Sequence, residues 1–82
     1  MELQEIIQRN YATVLRRGLI DENTKSEDLD NKISEEFYEF LEDRCRVELA
    51  DLVLAAFTKS IHEGWDLLEH MGAKTLYNEL RT

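Results

Sequence analysis

The stretch from Ser34 to Asp51, SEEFYEFLEDRCRVELAD, sets carboxylates at Glu36, Glu39, Glu48 and Asp51 inside a pattern that otherwise reads as buried helix. Burying unpaired carboxylates is costly, so either these acids face water or something positive sits among them. On one continuous helix, Glu39 and Glu48 would face opposite sides at about 100° per residue, and no shared site would form. A chain reversal near Asp43 and Arg44 removes the conflict. In an antiparallel hairpin reflected between those two residues, Glu39 comes level with Glu48, and Glu36 with Asp51. Glu36 and Glu39 share a face by i,i+3 spacing, and so do Glu48 and Asp51.

The rest of the chain fits an all-α fold of four helices. Proline is absent, and the three glycines are Gly18, Gly64 and Gly72. Leu3, Ile6, Ile7, Val14 and Leu15 recur at helical spacing and predict a helix over roughly residues 2 to 17, ended by Gly18. The polar run IDENTKSEDLDN reads as a loop over about residues 21 to 30. Thr24 with Glu27, or Asn31 with Ser34, would start the next helix. Leu29, Ile33, Phe37, Phe40 and Leu41 mark that second helix. A third runs from about Val47 to His62 and is broken by Gly64. Asp66 and Glu69 have the spacing of a capping pair for a fourth, Leu67 to about Arg81, with Leu68, Met71, Leu76 and Leu80 inward. No internal repeat or linker divides the 82 residues, so a single domain is expected.

The third helix is apolar on every side: Leu49, Ala50, Leu52, Val53, Leu54, Ala55, Ala56 and Phe57 go all the way round it. Such a helix is buried all round. Three other helices of so short a chain can hardly enclose it. The expectation is a bundle completed by homo-oligomerisation, as a homodimer or a dimer of dimers.

Charge narrows the partners. A formal net charge of −8 argues against a nucleic-acid polymer or an anionic membrane. An acidic chain can still hold a polyphosphate through a metal ion. The longest apolar run, LVLAAF, is too short to span a bilayer, and MELQEIIQRN lacks the regions of a signal peptide. Cys45 is the sole cysteine, which suits a reducing compartment, and a cytoplasmic location is expected.

Four converging carboxylates suit a hard divalent cation. Magnesium takes oxygen ligands and keeps waters that substrate phosphates can replace, and manganese is its substitute. With 18 acidic residues in the chain, E-E-x-x-E alone is ordinarily a solvated helix face, so the combination must carry the argument. His62 and His70, with no third ligand at close spacing, read as non-catalytic. Cys45 reads as an ordinary free thiol at the turn.

That combination resembles the MazG-like, all-α nucleoside triphosphate pyrophosphohydrolases. EEFYE, Glu35 to Glu39, matches the family's E-E-x-x-E, and ELAD, Glu48 to Asp51, matches its E-x-x-D. Downstream, GWDLLEHMGAKTLYNELR is similar to the family's closing segment, with Gly64 and Asp66 before the last helix and then Lys74, Tyr77, Asn78 and Arg81. The resemblance covers residues 34 to 81. It departs at one point: only residues 40 to 47 connect the two acidic motifs, where the family has a longer connection.

The resemblance implies cleavage of a nucleoside triphosphate between the α and β phosphates, giving a monophosphate and pyrophosphate. It implies magnesium on Glu36, Glu39, Glu48 and Asp51, with Glu39 or Glu48 as the carboxylate that orients or deprotonates water. Lys74, Tyr77, Asn78 and Arg81 would bind the substrate, with Lys74 and Arg81 meeting phosphate charge. Read without it, Lys74 and Arg81 are favourable charges near a helix C-terminus, and Tyr77 is a packing residue. Two alternatives stand beside this reading: a phosphoribosyl-ATP pyrophosphohydrolase of the same superfamily, and a non-catalytic helical interaction module.

Overall fold

A computed structural model describes residues 1–81. Four helices account for most of the chain, and no strand occurs among the described residues. They are α1 (Leu3–Arg16), α2 (Ser26–Glu42), α3 (Arg46–Glu63) and α4 (Leu67–Leu80). Among the described residues no helix is long and apolar enough to cross a membrane.

The breaks fall where local chemistry puts them. Gly18 adopts φ +70° after α1, and the Leu19 N–H reaches back to the Val14 carbonyl at 3.1 Å. Gly64 does the same after α3 with φ +76°, and the Trp65 N–H donates to the Ser60 carbonyl at 2.9 Å. Both are the left-handed helix ending that glycine tolerates best. Asp66 caps α4 by accepting from the Glu69 backbone N–H at 3.1 Å.

The second helix starts earlier than its polar sequence suggests. The loop closes at Lys25, not near residue 30, because the Asp28 carboxylate accepts from the Lys25 N–H at 3.2 Å and secures the first turn. Thr24 serves the loop instead of capping the helix: its hydroxyl oxygen accepts from the Asp21 N–H at 2.8 Å. Charged residues early in α2 are compatible with helix because they meet solvent or partners. Lys59 of α3 bonds Asp30 and also Ser26 Oγ, the latter at 3.0 Å.

α2 and α3 form the antiparallel hairpin that the acids demand, and α1 packs against α3. The reversal uses Asp43, Arg44 and Cys45 alone. Asp43 takes φ −133°, ψ 83°, and the Cys45 N–H donates to the Asp43 carbonyl. No residue of this turn needs a positive φ, so the short connection closes without glycine or proline. Ile7, Ile20, Leu29 and Phe57 are the buried apolar side chains. They draw α1, the following loop, α2 and the second half of α3 together.

One expectation of burial, that of α4, is corrected within one chain, while α3 is as incompletely covered as three short helices allow. The first half of α3 is not enclosed: Val47, Leu49 and Val53 are exposed. α4 buries none of its residues. Leu68 is half-buried, but Met71 is exposed, and Leu76 and Leu80 stand 62% and 85% exposed. The helix extends from the body, and the radius of gyration, 14.0 Å, exceeds the roughly 12 Å of a compact chain of this length. A two-layer hairpin with one helix across it covers only one side of α3, which leaves Phe37, Leu41, Leu49 and Val53 in solvent.

Candidate metal centre

Glu36 and Glu39 lie on successive turns of α2, and Glu48 lies in the first turn of α3. The hairpin brings one carboxylate oxygen from each of the three within 4.8 Å of one another. Glu36 is buried, with its side chain 9% exposed, Glu48 is half-buried, and Glu39 is exposed. The cluster is thus open on one side and closed on the other.

Its internal pairing is incomplete. Lys32, one helical turn before Glu36, sets its ammonium 2.8 Å from Glu36 Oε1. Glu36 Oε2 and Glu48 Oε2 are buried with no hydrogen-bond partner. Such atoms are rare in folded proteins, where buried oxygens take a partner from protein, water or an ion. The Glu36 carboxylate holds the Glu39 carboxyl above the usual range, and desolvation, Glu35 and Glu48 push the same way. Lys32 is held above its ordinary value chiefly by its hydrogen bond to Glu36, against the effect of burial. Hard oxygen donors, two of them unsatisfied and mutually repelling, fit a divalent cation.

Asp51 is not among the three converging acids. One turn further along α3, it stands with Glu36 on the wall of an adjoining cavity of about 440 Å³. That cavity lies between α1, the loop after it, α2 and α3, and Val14, Leu29 and Leu54 give it apolar surface.

Lys74, Tyr77, Asn78 and Arg81 do not line this cavity. Lys74 Nζ lies 4.6 Å from the Tyr77 ring centroid, and the Arg81 guanidinium 5.5 Å from it. These cations stack on their own helix rather than on the acids. The cation on the cavity wall is Lys32, together with the amide of Asn10. The sequence reading named neither. Lys32 had a signal, its i,i+4 spacing to Glu36. Asn10 had none, because α1 meets α3 only through tertiary packing. His62 is structural, its Nε2 lying 2.9 Å from the Thr24 carbonyl oxygen. No family model, curated protein or solved structure matches the chain.

Proposed function

We propose that the protein is a metal-dependent nucleoside triphosphate pyrophosphohydrolase, converting NTP and water into NMP and pyrophosphate. The observation that carries this reading is the cluster of Glu36, Glu39 and Glu48 with two buried, unpartnered oxygens, opening beside a cavity of substrate size. The residues that would hold magnesium are Glu36, Glu39 and Glu48, with Asp51 beside them. A bound ion would offset phosphate charge and acidify water, which lets an acidic chain take a polyanion at all.

The chain's own groups divide the remaining work. Glu39 is the exposed carboxylate of the three, which leaves it open to accept the proton of the attacking water. Lys32 Nζ, at the mouth of the cluster, is placed to meet a phosphate oxygen once Glu36 no longer needs it.

Self-association belongs to the same reading. The uncovered apolar residues of the hairpin, Phe37, Leu41, Leu49 and Val53, together with an α4 that buries nothing, form the surfaces that a second copy would cover. Assembly also offers a way for Lys74 and Arg81 to reach substrate, which they do not do within one chain. The stacking of Lys74, Tyr77 and Arg81 on one another is what favours the second reading, a helical interaction module without catalysis.

The deciding experiment is product analysis on a panel of labelled nucleoside triphosphates and phosphoribosyl-ATP, with and without magnesium. Monophosphate plus pyrophosphate is expected. Diphosphate plus orthophosphate would refute the reaction. No hydrolysis of any substrate by a folded, magnesium-loaded oligomer would favour the interaction module.

A further inference from the structure

Lys32 has two carboxylates within reach, and they differ in kind. Its ammonium lies 2.8 Å from Glu36 Oε1 and 3.9 Å from Glu35 Oε1. Glu36 is buried and belongs to the acid cluster, whereas Glu35 is exposed and does not. Among the described residues, no other ion pair reaches Glu36, Glu39 or Glu48. The cation that the chain itself supplies to the cluster is thus a lysine with a second, solvent-facing seat beside the first. The pair with Glu36 is also easily given up. Lys32 precedes Glu36 by four residues, the weaker of the two i,i+4 orders on a helix. Its side chain is half exposed, so turning the ammonium toward Glu35 and water costs little packing.

We infer, resting on the metal-dependent reading above, that Lys32 is a built-in competitor of the metal ion. In the metal-free chain its ammonium occupies Glu36, and when a divalent cation binds, the ammonium moves to Glu35 and solvent. Two observations favour competition over a lysine that merely props Glu36 for the metal. The ammonium leaves Glu36 Oε2 and Glu48 Oε2 buried and unpartnered, so it satisfies only part of what a divalent ion on the same acids would satisfy. The contact is also made to the carboxylate itself, where an ammonium and a divalent ion would repel each other in a half-buried site. Lys32 therefore sets the ion concentration at which the centre fills, and it offsets acid charge in the fold until then. A prop would make the same contact in the metal-free chain, but its removal would change metal affinity in the opposite direction.

The test is magnesium binding to the full chain, followed by calorimetry without any nucleotide. Lys32→Met drops the charge and keeps an unbranched apolar stem. A competitor makes the ion wait for the pair to open, so Lys32→Met should bind magnesium about fivefold more tightly than the wild type. Lys32→Arg keeps the charge and should bind magnesium as the wild type does. A second readout needs only the wild type: the Cε–Hε resonance of Lys32, assigned by its loss in Lys32→Arg, should move as magnesium saturates the site. Equal or weaker binding by Lys32→Met would overturn the inference and leave the metal centre standing. So would a Lys32 resonance that stays at its metal-free position at saturation, or a Lys32→Arg that binds as tightly as Lys32→Met. Absence of magnesium binding by the wild type and Lys32→Met alike would overturn the metal centre and the inference together. Exchange as expected, with no hydrolysis of any nucleotide, would refute the reaction and keep the exchange.

Discussion

Lys32 Nζ lies 2.8 Å from Glu36 Oε1, while Oε2 of the same carboxylate is buried without a partner. One buried carboxylate is thus half satisfied by a cation of the chain. Lys32→Met should therefore destabilise the metal-free protein by about 1 kcal/mol. That is the lower end for losing a partner of a buried charge, because the ammonium itself is half exposed. Urea unfolding should show the loss without magnesium and a smaller one with it. An unchanged midpoint would mean that the pair contributes nothing.

The second expectation concerns pH. The Glu39 carboxyl is held above its usual range by Glu36, so the folded state binds that proton more tightly than the unfolded chain does. The folded state then holds more protons in the window between the two values. Its stability falls as pH rises through that window and is greatest below it. Lys32, whose proton affinity is raised, stays charged throughout, so the slope belongs to the acids. Thermal melts of the metal-free protein should show this decline, and saturating magnesium should flatten or reverse it. A pH-independent midpoint without metal would count against convergence of the acids.

The third concerns Glu48, whose Oε2 is buried and unpartnered. Glu48→Gln removes one of three crowded charges. The metal-free melting temperature should rise by a few degrees, roughly what 1 kcal/mol does in a domain of this size, and the stabilisation by magnesium should disappear. Equal magnesium stabilisation of wild type and variant would place the ion elsewhere.

Much of this architecture was legible because periodicity and helix-ending chemistry are local. Gly18, Gly64 and Asp66 mark their helix ends in sequence as in structure, and the mirror spacing of Glu36, Glu39, Glu48 and Asp51 located the turn. The start of α2 was left open between Thr24 and Asn31; it falls beside the first, with Lys25 at the N-cap and its N–H donating to the Asp28 carboxylate. Asp51 was placed with the other acids by a reflection that treats the helices as parallel rods, whereas the three converging acids are Glu36, Glu39 and Glu48. Burial on α3 was expected to need a second copy, whereas burial on α4 was read from apolar positions, which cannot say whether the covering surface comes from the same chain.

That last point yields the fourth prediction. Leu49 and Val53 are one turn apart on α3 and exposed, on the side of the hairpin that no helix of the chain covers. Sedimentation should give a dimer or larger assembly, with a melting temperature that rises with protein concentration. Leu49→Glu combined with Val53→Glu should give a monomer. A wild type that sediments as a folded monomer at micromolar concentration would remove the assembly from the proposal.

The fifth joins assembly to the reaction. Lys32 lines the cavity beside the acids and Lys74 does not, so on the proposed reading the two lysines should fail differently. On that reading Lys32→Ala should impair turnover in every context, because its ammonium sits against Glu36 of the acid cluster. Lys74→Ala should matter only if α4 reaches the cavity of another subunit, since within its own chain Lys74 lies over Tyr77. Subunit mixing separates these cases. If Glu48 holds the metal and Lys74 meets phosphate in the assembly, Glu48→Gln and Lys74→Ala should each be nearly inactive alone. If α4 acts across the interface of a two-fold dimer, a mixed dimer carries one site with both defects and one with neither. Statistical mixing should then restore about a quarter of wild-type activity. The same mixture with Lys32→Ala in place of Lys74→Ala should restore nothing, since Lys32 and Glu48 belong to one hairpin. Full activity of Lys74→Ala alone would show that α4 takes no part in the chemistry. Complementation by Lys32→Ala would contradict the arrangement in which Lys32 and Glu48 serve a single site.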